Sequence, residues 1–475
     1  MKVVIIGGET GGLATAKEIR KKDSDCEITI IEKLPYLSYM QYAMPYYISG
    51  ELEENDLMIS SKEEIEKEYN ITIQLNAEVV EILPDEKAIS VASNSRTNMY
   101  KMQYDKLVIS VGTIARKLPV FEDLGENIFI HKNLLNANRL KEYIERKNPK
   151  SCVIVGAGLI GLELAESFNM LGIDVYIIEK EQTIIGGIDE DISKEMENIL
   201  NDYVTIIKES EVTSVKEIVA NNEKYKNDKK DDIENISENK KLKIRYIQDR
   251  SQNEIEVDFA VIGAGTIPAT KFVMRADIAV DENDYILVDE YMKTNKEDIY
   301  AIGDAVKVKY DNSDINTKSC SISPVLKQAY IVANNITENN NISYSGTTRP
   351  MLLRVFGYSI GMVGLSKKEL IKNNISYYEE VVLGDTSVPV FSNSEKILLK
   401  GYFSKEDRKL LGAIVVGRKD VDKKIDVLSA AIKSNMGAND LKLMELSFTP
   451  KLGISEDVIN LIGDKAMEYD IGEEN

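Results

Sequence analysis

"SCVIVGAGLIGLELAESFNMLGIDVYIIEK", residues 151–180, decides the fold. A short apolar run, CVIV, meets Gly156, Gly158 and Gly161, and a helical pattern, LIGLELAESFNML, follows. A second apolar run, DVYIIE, then ends on Glu179. Glycines let a backbone approach a pyrophosphate at a helix N-terminus, where free N–H groups and the helix dipole attract anions. A carboxylate at the end of the next strand accepts the hydroxyls of an adenosine ribose. Strand, loop, helix and acidic strand end stand in the order that dinucleotide binding requires. Glu179 would repel the 2′-phosphate of NADPH, so NADH is expected and NADPH is less favoured; Lys180 beside it softens that preference.

The chain opens on a second copy of the pattern. KVVII (2–6) reads as a buried parallel strand, GGETGG supplies Gly7, Gly8, Gly11 and Gly12, and a helix is expected from Leu13 to about Lys22. EITIIE ends on Glu32, twenty residues after Gly12, with Lys33 next to it. Glu9 occupies the middle glycine position, which is a defect in the fingerprint. Two dinucleotide sites in one chain imply two nucleotides exchanging electrons; the alternative is an internal duplication with one dead site.

Outward from these units, YDKLVISVGTIARKLP (104–119) and VDFAVIGAGTIPAT (257–270) read as strand–glycine–turn crossings between domains, with Gly112 and Gly265 among the cofactor-binding candidates. Residues 220–242 form a polar tract, read as a solvated hairpin loop because its composition buries too little apolar surface to order itself. Gly303 and Asp304 end a short strand. After them Ser323 reads as an N-cap and Pro324 as the first residue of a helix. The expected domains are 1–115 with 269–336, then 116–268 carrying the 220–242 insert, and a separate C-terminal domain over 345–475.

At 475 residues the chain exceeds one hydrophobic core, and 43% apolar with 29% charged residues is ordinary for a globular protein. A formal net charge of −20 argues against nucleic acid and anionic membrane surfaces as partners. MKVVIIGG runs straight into a strand, and no run reaches the roughly 18 apolar residues of a membrane span, so a cytoplasmic protein without signal peptide is expected. Cys26 and Cys152 sit in or beside strand-like runs and read as buried thiols, whereas Cys320 precedes a helix start. The single histidine, His131, supports neither a multi-histidine metal site nor a Ser-His-Asp triad, and no metal is expected.

Together these residues resemble the FAD-dependent pyridine nucleotide–disulfide oxidoreductases, in the branch of NADH oxidases, NADH peroxidases and coenzyme A disulfide reductases. The resemblance covers essentially the whole chain and rests on GGETGG, GAGLIGLELAE, DEYMKTNKEDIYAIGDA and LLGAIVVGRKDVDKKIDVLSAAI. This branch often lacks the middle glycine of the first loop. The resemblance implies an α/β fold with two Rossmann-like dinucleotide-binding domains, for FAD and NAD, plus an α+β C-terminal dimerisation domain that builds a homodimer. It implies that Gly7, Gly12 and Glu32 hold the adenosine half of FAD. Asp304 would bond the ribityl chain, the helix opening near Pro324 would face the flavin, and the Gly156 loop with Glu179 would bind NADH.

The same resemblance gives meaning to LPYLSYMQYAMPYYISG (34–50). The family's loop reads roughly Ser-Phe-x-x-Cys-Gly-x-Pro-Tyr-Tyr, and its cysteine is the redox centre. Here it reads Ser38-Tyr39-Met40-Gln41-Tyr42-Ala43-Met44-Pro45-Tyr46-Tyr47: the frame is kept, and the cysteine position is Tyr42. A phenol forms neither a sulfenic acid nor a mixed disulfide. Thr10, Leu159 and Phe448 replace a histidine and two tyrosines of the family. For Tyr42 two readings stay open, an aromatic filling a wall of the flavin site and a hydroxyl that hydrogen-bonds there; Tyr36, Tyr39, Tyr46 and Tyr47 are expected to pack. Glu163 would sit near the rings and orient the nicotinamide, unless it is a surface helix glutamate. The expected activity is hydride transfer from NADH to FAD and on to oxygen, a quinone or a carrier protein, without a cysteine centre. The alternatives are a non-catalytic nucleotide-binding dimer and a thiol reductase using Cys320.

Overall fold

A computed structural model describes residues 1–93, 98–122, 125–219, 240–318, 321–338 and 342–469. The chain divides into two compact units, one of Met1–Met40, Met58–Ile114 and Ile267 onward, the other of Gln41–Leu57 and Ala115–Thr266.

In the first unit the β-branched runs form a five-stranded parallel sheet in the order Ile299–Ala301, Lys106–Ile109, Lys2–Ile6, Glu27–Ile31, Thr72–Gln74. Val3 to Ile6 and Ile28 to Ile31 are buried, as a sheet covered on both faces demands. Helices Thr10–Lys22 and Ile322–Thr337 lie side by side against it. The second helix starts at Ile322 with Ser321 as its N-cap, so Ser323 is not the cap and Pro324 is the third helical residue. Proline is tolerated there because first-turn N–H groups have no intrahelical acceptor. The C-terminal part carries its own five-stranded antiparallel sheet, in the order Met351–Val355, Tyr358–Gly364, Leu410–Gly417, Lys396–Ser404, Tyr377–Asp385. Helices Val421–Lys433 and Val458–Met467 close its core over Leu399, Phe403, Val415, Leu428 and Ile462.

The second unit repeats the parallel arrangement in the order Thr205–Ile207, Asp174–Ile178, Ser151–Val155, Phe259–Ile262, Ile128–Ile130. In both sheets the strand before the glycine loop lies between the next strand of the chain and a strand arriving from later in sequence. That reversal of order is where open α/β sheets bind their ligands. Strands Ser210–Val219, Lys240–Gln248 and Ser251–Val257 form an antiparallel meander. Lys240, Lys241 and Leu242, read as the end of a loop over 220–242, belong to a strand: Lys240 pairs with Val219, and Leu242 is buried in the core. Residues 220–239 lie outside the described residues.

Gln41–Leu57, read as part of the first domain, packs in the second unit. Its helix Met44–Ser49 lies against helices Leu134–Lys147 and Leu159–Met170. Ser167 Oγ donates to the Pro45 carbonyl at 2.9 Å, and Lys141 Nζ to the Tyr47 carbonyl at 3.0 Å. The base of this excursion is closed in the first unit, where Tyr39 bridges Met58 and the Ile59 N–H bonds the Ser38 carbonyl at 2.9 Å.

Candidate functional site

The first glycine loop is a crowded turn. Gly7 adopts φ +96°, and a Cβ there would stand 2.2 Å from the Ser110 carbonyl oxygen on the neighbouring chain. A Cβ on Gly12 would come within 1.8 Å of the Gly7 carbonyl oxygen, so the helix can pack this tightly on the strand only with glycine. Gly11 meets the Ser110 hydroxyl and Val325 in the same way. Glu32 is 6% exposed; one oxygen accepts the Gly8 N–H at 2.7 Å and the other the Leu34 N–H at 2.7 Å. Burial pushes the Glu32 carboxyl up, those two hydrogen bonds pull it down, and the charge of Glu9 adds to the upward push.

The second loop reproduces this geometry position by position. Gly156 has φ +112° with the Gly263 carbonyl oxygen 2.5 Å from a would-be Cβ, and a Cβ on Gly161 would stand 2.2 Å from the Gly156 carbonyl oxygen. Glu179 accepts the Ala157 N–H at 2.6 Å and the Glu181 N–H at 2.9 Å, as Glu32 accepts from Gly8 and Leu34. Nothing lies within 4 Å of a Cβ on Gly158, which leaves the mouth of this loop open. Lys180 is paired with Glu211 at 3.0 Å. Both loops therefore have the close approach and the anchored carboxylate that an adenosine dinucleotide needs. The first differs in carrying the Glu9 carboxylate where the second has Gly158.

Other expected residues are distributed between the units. In the first, Gly303 (φ +84°) donates its N–H to Gln328 Oε1 at 2.8 Å, and Asp304 follows in the same turn. Gln328 is fully buried on the helix that carries Pro324. Sequence reading missed it because a mid-helix glutamine has no motif. Gly112 (φ +58°) accepts the Ala269 N–H through its carbonyl at 3.1 Å. Lys33 is exposed and paired with Glu78 at 2.7 Å. In the second unit the Gly265 carbonyl accepts the Arg116 N–H at 2.9 Å.

Tyr42 and Glu163 both belong to the second unit. Tyr42 lies in a short turn, Gln41–Ala43, and is 55% exposed, so its own unit does not pack it away. Gln41 Nε2 fixes that turn to the Lys132 carbonyl at 3.0 Å. Tyr39 and Tyr47 are buried as expected, but Tyr46 is exposed. Glu163, on the helix after the second loop, is pushed up to about 7 by burial and then by the charge of Glu166. Cys26 and Cys152 are buried, and burial raises both thiols, Cys26 to about 11. Neither is a thiolate at neutral pH. Cys320 lies outside the described residues. Burial lowers His131 to about 4. Among the described residues no helix is long and apolar enough to cross a membrane.

Residues 1–320 match the family described as pyridine nucleotide-disulphide oxidoreductase, and residues 353–457 match its dimerisation domain. The coenzyme A disulfide reductase of Staphylococcus haemolyticus is 26% identical over 469 residues, covering 98% of this chain and 99% of that protein. Among solved structures, reduced Bacillus anthracis CoADR-RHD is similar with a TM-score of 0.89 at 28% identity, over 98% of this chain and 80% of that one. The NAD-dependent persulfide reductase from A. fulgidus gives 0.89 at 26% identity, over 98% and 83%.

Proposed function

Since this chain belongs to the pyridine nucleotide-disulphide oxidoreductase family, as an FAD-dependent enzyme of the NADH oxidase and coenzyme A disulfide reductase kind, we propose that it oxidises NADH without a cysteine redox centre and passes the electrons to oxygen, a quinone or a carrier protein. The observation that carries this reading is Tyr42 at the cysteine position of the loop, in a chain whose two glycine loops keep their anchored carboxylates. The state of Cys26 and Cys152 supports it, because protonated buried thiols do not take over.

FAD, when bound, supplies the two-electron carrier between the nicotinamide and the acceptor. In this reading Gly7, Gly8, Gly11 and Gly12 admit its pyrophosphate, Glu32 takes its ribose hydroxyls, and Gly303, Asp304 and the helix of Pro324 line its remaining length. Gly156, Gly158, Gly161 and Glu179 hold NADH. Glu163, with a proton it can exchange near neutrality, orients the nicotinamide. In this reading the first nucleotide domain comprises 1–115 and 269–336, apart from the 41–57 excursion that packs with the second, 116–268, and 345–475 pairs two copies.

An anaerobic titration with NADH tests the absence of a thiol centre. Flavin absorbance should bleach completely at about one NADH per flavin, with no long-wavelength thiolate–flavin charge-transfer band. A requirement for two equivalents, or such a band, would show that a thiol shares the electrons and would sink the proposal. Cofactor choice gives a second test. Lys180 is engaged by Glu211, and the Glu179 carboxylate repels a 2′-phosphate. Glu179→Gln should therefore lower kcat/KM for NADH and raise it for NADPH, each by about tenfold, or ~1.4 kcal/mol. An unchanged NADH-to-NADPH ratio would mean that Glu179 does not face the ribose.

A further inference from the structure

A departure from the glycine fingerprint, Glu9, meets a departure from the family's loop pattern, Tyr39. Position 9 of the first glycine loop carries a carboxylate, and position 39, phenylalanine in the family's loop, carries a phenol. The Tyr39 hydroxyl donates to Glu9 Oε1 at 2.7 Å. Tyr39 is 7% exposed, its ring lies edge-on to Tyr36 at 6.4 Å, and its backbone bridges Met58. The donor is therefore fixed by packing, thirty residues away in sequence from the group it holds.

Glu9 is the N-cap of helix Thr10–Lys22, yet its side chain makes no capping hydrogen bond. A carboxylate next to a helix N-terminus is attracted to the free N–H groups there and to the positive end of the dipole. Those are the groups that a pyrophosphate uses in a dinucleotide loop. A carboxylate capping them would both occupy the donors and repel the incoming anion.

We infer that Tyr39 is a positioning residue for the cofactor, acting through Glu9: its hydroxyl holds the carboxylate off the helix N-terminus and so keeps the first glycine loop open to the FAD pyrophosphate. This rests on the reading that the first glycine loop is the FAD site. The pair lets the loop carry an acidic residue where a dinucleotide site normally carries a small neutral one.

The test is the affinity of flavin-free, full-length protein for FAD, read by flavin fluorescence at several salt concentrations. Tyr39→Phe, which restores the family's residue and keeps the ring, should weaken FAD binding about fivefold at low salt, and the loss should shrink as screening rises. Adding Glu9→Gln to that variant should return the affinity to within about twofold of the unaltered protein, because a neutral side chain no longer repels phosphate. A double variant as weak as Tyr39→Phe, or a Tyr39→Phe variant that binds as the unaltered protein does, overturns the inference. Glu32→Ala separates the two levels of the argument. If it weakens FAD while Tyr39→Phe does not, the pair has no such role and the loop assignment stands. If Glu32→Ala also binds normally, the loop assignment falls with it. Far-ultraviolet circular dichroism of the flavin-free variants should match that of the unaltered protein.

Discussion

Gly12→Ala should yield a colourless protein. The new methyl carbon would stand 1.8 Å from the Gly7 carbonyl oxygen, far inside any van der Waals contact. Gly7 cannot retreat, because its own α-carbon already faces the Ser110 carbonyl and its N–H bonds the Ile31 carbonyl at 2.9 Å. The helix must therefore lift off the strand, and its free N–H groups move with it. Loss of that cradle should raise the FAD dissociation constant at least about a hundredfold, or ~2.7 kcal/mol. Apparent thermal stability should fall too, since a bound ligand stabilises by RT ln(1 + [L]/Kd), which shrinks as Kd rises. Flavin absorbance per chain after gel filtration, together with calorimetry, reads both effects. A full complement of flavin in the variant would remove the first loop from the cofactor site.

Glu163→Gln should change how stability responds to pH. The carboxyl has an ordinary value of 4.5 when unfolded and about 7 when folded, through burial first and Glu166 second. Between those values the folded chain holds a proton that the unfolded chain has released, so stability falls as pH rises from 4.5 through 7. At pH 8 the buried carboxylate carries its full desolvation cost, and glutamine removes it. The variant should be more stable there by on the order of 1–3 kcal/mol and equal to the unaltered protein near pH 4. Thermal midpoints of the transition that includes the second unit, measured across that range, check it. Parallel pH curves for the two proteins would mean that Glu163 is solvated.

Much of this architecture is local and therefore visible in one sequence. Gly156, Gly158, Gly161 and Glu179 stand at characteristic spacings because one strand, one turn and one helix set their distances, and the same glycine spacing announces Gly7 and Gly12, with Glu32 at the end of the next strand. What escaped depends on partners remote in the chain. Glu9 reads as a defect until Tyr39 is seen to hold it. The excursion over Gln41–Leu57 packs on helices that begin at Leu134 and Leu159, and nothing in its own residues names them. Ser323-Pro324 imitates a helix start because the fixed φ of proline suits every position of a first turn, so the true start at Ile322 leaves no sharper mark. Leu242 ends a polar run, and only its pairing with Glu217 and Val257, remote in the chain, makes it strand.

The placement of Ile299–Ala301 at the edge of the first sheet governs the order in which the protein is assembled during its synthesis. Strand Lys106–Ile109 leaves the ribosome 190 residues before the strand that pairs with its outer edge. At ordinary translation speeds that edge waits for roughly 10–40 s. Every segment of the second unit, by contrast, is made before residue 299. The nascent chain thus completes its later nucleotide domain while its first still presents an open β-edge, the surface most prone to pairing with another chain.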